Sequence, residues 1–287
     1  MIYSKINEFC KIRNVGNCYQ NGSEPTPRVK FIMELLDKEG IEYELDSWEH
    51  TRTRFNYRNK ISFKDPYIKK IFGEEEVQEE EEKDQPKNMM FNIIMKGTSD
   101  KMIIAHHDVN NHTTDNANDN SCSVINVIAT KKLRPEVHAV LVDGEEFGGH
   151  GSKRLGQQIK NGNFGNISWV LNLELTGKGG KYFFIGDYPG KLSDKIVKLF
   201  DCPIVRTPFN DSVILRELGI DSVVINPAPP LPPGKRSDLK FQKSGKEGVY
   251  LDFSVVFCCH SPSDTLSSIN INDMKEFVET VVVKILQ

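Results

Sequence analysis

Short apolar runs recur along this chain, and most of them stop at a polar or glycine-rich stretch. Thr26 and Pro27 are a good N-cap and first residue for a helix whose apolar stripe is Val29, Ile32, Met33, Leu35 and Leu36 and which Gly40 ends. Ile41–Trp48 alternates like a strand. Met90–Met95 and Met102–Ala105 are continuous apolar runs, predicted as neighbouring strands joined by Lys96–Asp100. Further strands are predicted at His138–Asp143, Ile167–Leu175, Lys181–Ile185, Ser222–Asn226 and Val255–Cys259. Helices are predicted from Val124–Ala129 onward and at Gly151–Lys160, Leu192–Phe200, Ser212–Leu218 and Asn272–Leu286. Alternating strands and helices predict an α/β fold: a mostly parallel, mixed central sheet with helices on both faces.

Two stretches break the pattern. Residues 50–87 carry Arg52, Arg54, Arg58, Lys60, Lys64, Lys69 and Lys70, interleaved with Phe55, Tyr57, Phe63 and Tyr67. An acidic run follows, Glu74–Glu76, Glu79–Glu82 and Asp84. Basic residues among aromatics can bind single-stranded nucleic acid. The acidic run can neutralise them, however, and an inserted, solvated charged segment is the better reading. Residues 226–248 open with Asn-Pro-Ala-Pro-Pro-Leu-Pro-Pro-Gly, whose prolines cannot donate ladder bonds, and are expected as a long loop.

The chemistry gathers where the apolar runs end. His106 and Asp108 follow Met102–Ala105 and, being two apart, share a face of an extended chain. Asp119 stands just before a helical pattern. Glu145 and Glu146 follow His138–Asp143, and Glu174 follows Trp169–Leu173. His260 follows Val255–Cys259, with Asp264 shortly after. In open α/β sheets ligands collect outside the carboxyl ends of strands. Histidines and carboxylates converging there are what a divalent metal site needs.

The series Ala-His-His-Asp, Asn-Ala-Asn-Asp-Asn, Asp-Gly-Glu-Glu-Phe-Gly-Gly-His-Gly-Ser, Leu-Glu-Leu-Thr-Gly and Cys-His-Ser-Pro-Ser-Asp-Thr resembles, in order and spacing, the motif series of the M28 family of zinc exopeptidases. Asn210-Asp211-Ser212 followed by Leu218–Ser222 resembles a late element of the same family. The resemblance, which covers roughly residues 25–287, implies the zinc-exopeptidase (phosphorylase/hydrolase-like) fold with no separate lid domain, and the length of the chain suits a single metallopeptidase domain, 1–287. It implies two divalent metal ions, with zinc the default. Asp119 would bridge them, His106 and Glu174 would complete one, and Glu146 and His260 the other. Glu174 stands where many such enzymes have Asp, which leaves the geometry of the first site open. Glu145 would be the general base for a metal-bound water, and Asp108 would orient the His106 ring. The family also implies a cis peptide after Asp108. Asp211 would order the substrate side, and Asp264 would anchor the loop of His260. Cys122 stands where the family usually has Ser, so its thiol is a candidate inhibitory ligand or oxidation target. His107, His138 and His50 are expected to be structural, and His112 and His150 minor candidates for substrate contact.

Composition narrows this further. A formal net charge of −3 favours neither nucleic acid nor a membrane surface. No apolar run is long enough to span a bilayer, and the charged start of the chain does not read as a signal peptide. The six cysteines have no framework spacing, which predicts a reducing cytoplasm. The expected substrate is a peptide or aminoacyl compound, and an aminopeptidase is the leading expectation. Alternatives are a carboxypeptidase or another amide hydrolase on the same scaffold, M20-like or glutaminyl-cyclase-like, and a catalytically dead binding module. The 85 residues between Glu174 and His260 are needed for the core, which disfavours an inserted M20-type lid. Dead relatives lose ligands, and here the full set is present.

Overall fold

The computed structural model describes residues 2–12, 24–50, 88–109, 115–207, 209–231, 243–244, 249–252 and 259–287. The charged segment at 51–87, His112 and most of the strand expected at 255–259 lie outside the described residues; Cys259 itself is in a turn.

A 3-10 turn (Ile2–Lys5) leads into α1 (Ile6–Lys11), and α2 (Pro27–Glu39) follows. α2 has the ends its sequence predicts. The Thr26 hydroxyl accepts from the Val29 N–H at 3.2 Å, Pro27 is the first helical residue, and Gly40 closes the helix at φ 68°. The chain continues through β1 (Glu44–His50), β2 (Asn88–Met95), β3 (Lys101–His106), a π turn (Ala117–Ser121), α3 (Cys122–Leu133), β4 (His138–Val142) and α4 (His150–Lys160). Then come β5 (Trp169–Leu173), β6 (Phe183–Gly186), α5 (Lys191–Phe200), β7 (Ile204–Val205), α6 (Asp211–Glu217) and β8 (Ser222–Pro227). β9 (Lys243–Ser244), in the stretch expected as a long loop, pairs antiparallel with β10 (Val249–Tyr250) just beyond it. The end of the chain is α7 (Ile271–Phe277), a π turn (Val278–Val282) and α8 (Val283–Leu286).

Eight strands form one sheet in the order β1-β2-β4-β3-β5-β8-β6-β7. β4, β3, β5 and β8 are mutually parallel at its centre, while β2 and β6 run antiparallel to their central neighbours. The predicted adjacency of β2 and β3 is therefore corrected: β4 lies between them. Met95 pairs with Ala139, and Ile103 pairs with Ala139 from the other side. Both predicted segments are strands, but a short connection says nothing about whether another strand enters between its ends.

The central strands read as unbroken apolar runs because both faces are covered. Ile103, Ala105, Ala139, Leu141, Leu171 and Leu173 join a core with α1, α2, α3, α5 and the C-terminal helices. Their in-between neighbours Met102, Ile104, Val140, Val142 and Val170 join a second core under α4 and α6.

Candidate active site

Three parallel central strands end side by side, and the predicted residues lie at those ends. His106 is the last residue of β3, Glu145 and Glu146 follow β4, and Glu174 follows β5. Asp119 arrives on the π turn before α3, and His260 on the turn that it forms with Cys259. The Asp119 carboxylate sits between the two histidines. Its Oδ1 is 3.2 Å from His106 Nε2 and its Oδ2 is 3.2 Å from His260 Nε2. Glu174 Oε2 is 3.5 Å from His106 Nε2, and Glu146 Oε2 is 3.0 Å from His260 Nε2. Two groups result, His106–Asp119–Glu174 and Asp119–Glu146–His260, each with its ligand-type atoms within 4.8 Å of one another. Glu174 thus reaches the first group despite its extra methylene. Glu145 also forms such a group with His106 and Glu146, so its carboxylate borders the same space.

Asp108 has two tasks. Its Oδ1 faces His106 Nδ1 at 3.3 Å. Its two oxygens also accept the N–H groups of Glu145 and Glu146, at 3.1 and 3.0 Å. One carboxylate therefore faces the ring on β3 and holds the backbone of the paired glutamates after β4. Asp264 spans a different gap: it takes the N–H groups of Asn118 and Asp119. It thereby ties the segment following His260 to the turn that carries Asp119. Asp211, the first residue of α6, is fully buried and accepts a hydrogen bond from the Ser152 hydroxyl of α4.

Charge is concentrated here. Burial pushes Glu145 well up, Glu146 and Glu174 reinforce that, and His106 opposes it. Burial also raises Glu146 and Glu174, against the pull of His260 and His106 respectively. Burial lowers His260, but Asp119 and Glu146 outweigh it and push the ring up to about 11. His106 is likewise raised, because Glu174, Asp108 and Asp119 outweigh its burial. Burial raises Asp119, yet the two histidines hold it below the usual carboxylate range. Buried carboxylates crowded in this way are costly without cations. The donor set, carboxylate oxygens and imidazole Nε2 atoms in two triads with one shared member, fits a pair of divalent metal ions.

The sequence reading missed two of the residues that hold this arrangement. Asn120 donates to Leu173 O at 3.1 Å and accepts from Leu175 N at 3.2 Å, so its amide brackets Glu174. Asn118 accepts from Gly177 N at 2.8 Å. The asparagines on either side of Asp119 thus grip the segment that carries Glu174. The signal was present in Asn-Ala-Asn-Asp-Asn, since Asn side chains commonly bond to backbone, but the partner was not. The cis peptide expected after Asp108 lies instead at Asp119–Asn120. Leu175 and His260 hold positive φ, 54° and 56°, an uncommon conformation for residues other than glycine.

Other expectations resolve simply. His107 is buried and its Nε2 lies 2.7 Å from Phe91 O, turned away from the site. His150 opens α4. Cys122 is corrected as a reactive candidate. It is fully buried at the start of α3, its Sγ faces Gly177, and burial raises its thiol well above the usual value. A thiol held protonated in this way is a poor ligand and a poor nucleophile.

The chain belongs to peptidase family M28, whose model matches residues 92–284. Its fold is similar to that of the aminopeptidase from Aneurinibacillus sp. strain AM-1 (17% identity, 70% of this chain and 48% of that one, TM-score 0.52). It is similar to BSAP, a zinc aminopeptidase from Bacillus subtilis (15% identity, 69% and 50%, TM-score 0.52). It is also similar to the glutaminyl cyclase of Porphyromonas gingivalis (15% identity, 99% and 96%, TM-score 0.63). The chain spans about half the length of the two aminopeptidases. No curated protein sequence matches it. Among the described residues, no helix is long and apolar enough to cross a membrane.

Proposed function

We propose that this protein is a co-catalytic dinuclear zinc exopeptidase, acting as an aminopeptidase on peptides or aminoacyl compounds. One observation carries the reading: two ligand triads share Asp119, one oxygen directed to each histidine. His106, Asp119 and Glu174 would hold one ion, and Asp119, Glu146 and His260 the other. Bound there, the ions would polarise the scissile carbonyl and acidify the attacking water. Glu145 takes the proton from that water and delivers it to the leaving amine. Asp108 keeps Glu145 in place through its N–H and holds the His106 ring in one tautomer. Membership of a peptidase family supports hydrolysis of peptide bonds.

A second reading is glutaminyl cyclisation. It is favoured by the near-complete mutual coverage with the P. gingivalis glutaminyl cyclase. Against it stands the complete His106–Asp119–Glu174 triad beside that of His260, since a single-zinc cyclase does not need both. The test is elemental analysis of purified protein beside two assays, aminoacyl p-nitroanilide hydrolysis and cyclisation of an N-terminal glutaminyl peptide. Two zinc ions per chain with hydrolysis are expected. One zinc ion, with cyclisation and no hydrolysis, would overturn the first reading in favour of the second.

A further inference from the structure

Arg28, the second residue of α2, is fully buried. Its charge is expensive there. Burial lowers its pKa to about 10, and Cys10, Asp108 and Asp264 pull it back up. Among the described residues no carboxylate lies at ion-pair distance. The guanidinium instead spreads its donors over three segments. Nε donates to His107 O at 2.6 Å, Nη2 to Ser121 Oγ at 2.8 Å, and Nη1 to Phe9 O at 3.4 Å. The group also lies over the Phe9 ring, 3.8 Å from its centroid. Ser121 passes the connection on by donating to Asn116 O at 2.6 Å.

The first two contacts place Arg28 beneath the site. His107 lies between His106 and Asp108, and Ser121 is two residues after Asp119. One planar fork therefore joins the strand end that carries His106 to the turn that carries Asp119. Those two residues must keep their facing geometry to share an ion. Removing Arg28 would leave the buried acceptors His107 O, Ser121 Oγ and Phe9 O without this donor, so its contribution to the site is separated from its contribution to stability only by a readout on the metal itself. Arg28 also lies outside residues 92–284, the part that matches the family model.

We propose that Arg28 is a positioning residue for the metal centre. It sets the spacing of the His106 and Asp119 segments and couples the N-terminal helices to metal affinity. This rests on the reading of His106 and Asp119 as ligands. Arg28 touches neither substrate nor ion, and it acts through His107 O and Ser121 Oγ. Lys would restore the charge but not the fork that reaches two acceptors at once.

The test uses metal-free full-length protein titrated calorimetrically with Zn²⁺, and with Co²⁺ followed by its visible absorption. The variants are Arg28→Met, Arg28→Lys, Ser121→Ala and the Arg28→Met/Ser121→Ala double variant. Loss of a group that orients ligands typically weakens metal binding by about 10–100-fold. That loss is expected for Arg28→Met and Arg28→Lys, together with a changed Co²⁺ spectrum. Ser121→Ala should lose less, and the double variant should lose little more than Arg28→Met, because both act through one contact. If Arg28→Met does not fold, Arg28→Lys and Ser121→Ala carry the same comparison. Folded Arg28→Lys and Ser121→Ala with wild-type affinity and spectrum would overturn the proposal alone. Wild-type protein that takes up no metal would overturn the reading of the site and this proposal with it.

Discussion

Asp264 holds the backbone of Asp119: its Oδ2 accepts the Asp119 N–H at 3.1 Å while its Oδ1 accepts the Asn118 N–H at 2.7 Å. The residue four positions beyond His260 thus fixes the carboxylate that faces both histidines. Asp264→Asn keeps one acceptor and turns an NH₂ group toward the other N–H. Leaving a buried donor unsatisfied costs about 1–3 kcal/mol. Chemical denaturation should report a loss in that range, and metal content should fall with it. A variant of unchanged stability and full metal content would mean that the Asp119 turn keeps its shape without this contact.

The adjacent glutamates should fail differently. Glu145→Gln keeps the shape of the side chain but cannot accept a proton, so turnover should fall by about 10²–10⁴-fold with metal content intact. Glu146→Gln removes a charged partner 3.0 Å from His260, so it should lose metal and, with it, thermal stability. Because Glu145 also borders the ligand space, metal analysis of both variants is decisive. Metal loss in Glu145→Gln but not in Glu146→Gln would reverse the two roles.

Asn120→Ala should act on Glu174 without touching it. The change removes both hydrogen bonds that bracket Glu174, to Leu173 O and from Leu175 N. An orienting group of this kind is worth about 10–100-fold in metal affinity, and the loss should fall on the ion shared by His106 and Glu174. Stepwise Zn²⁺ titration separates the two ions. Equal weakening of both steps, or of neither, would contradict the assignment.

His138 gives a pH dependence away from the site. Its Nδ1 accepts the Gly97 N–H at 3.1 Å, which requires the neutral ring. Burial and then Lys131 hold its pKa below the ordinary 6.5. A folded-state value below the unfolded one means that the unfolded chain binds the proton first as pH falls. The stabilisation is therefore complete above about pH 6.5 and declines below it. Thermal melts from pH 7.5 to 5 should show a smaller fall in melting temperature for His138→Asn than for wild type. Parallel curves would remove His138 from the acid response.

Much of this protein follows from sequence alone, because the signals are local. The Thr26-Pro27 start and Gly40 stop of α2 depend on capping geometry within a turn of chain. The central strands depend on β-rich apolar runs; His106, Glu146, Glu174 and His260 stand out as ligand-type residues where such runs end, and Asp119 where a helical pattern begins. Other features needed the folded chain. β4 enters between β2 and β3 because pairing partners are chosen by the packing of whole layers. The grip of Asn120 on Glu174, of Asp264 on Asp119 and of Arg28 on His107 and Ser121 joins residues 53 to 145 positions apart. A polar side chain advertises its capacity to hydrogen-bond in the sequence, but the backbone group that satisfies it is set by tertiary contact.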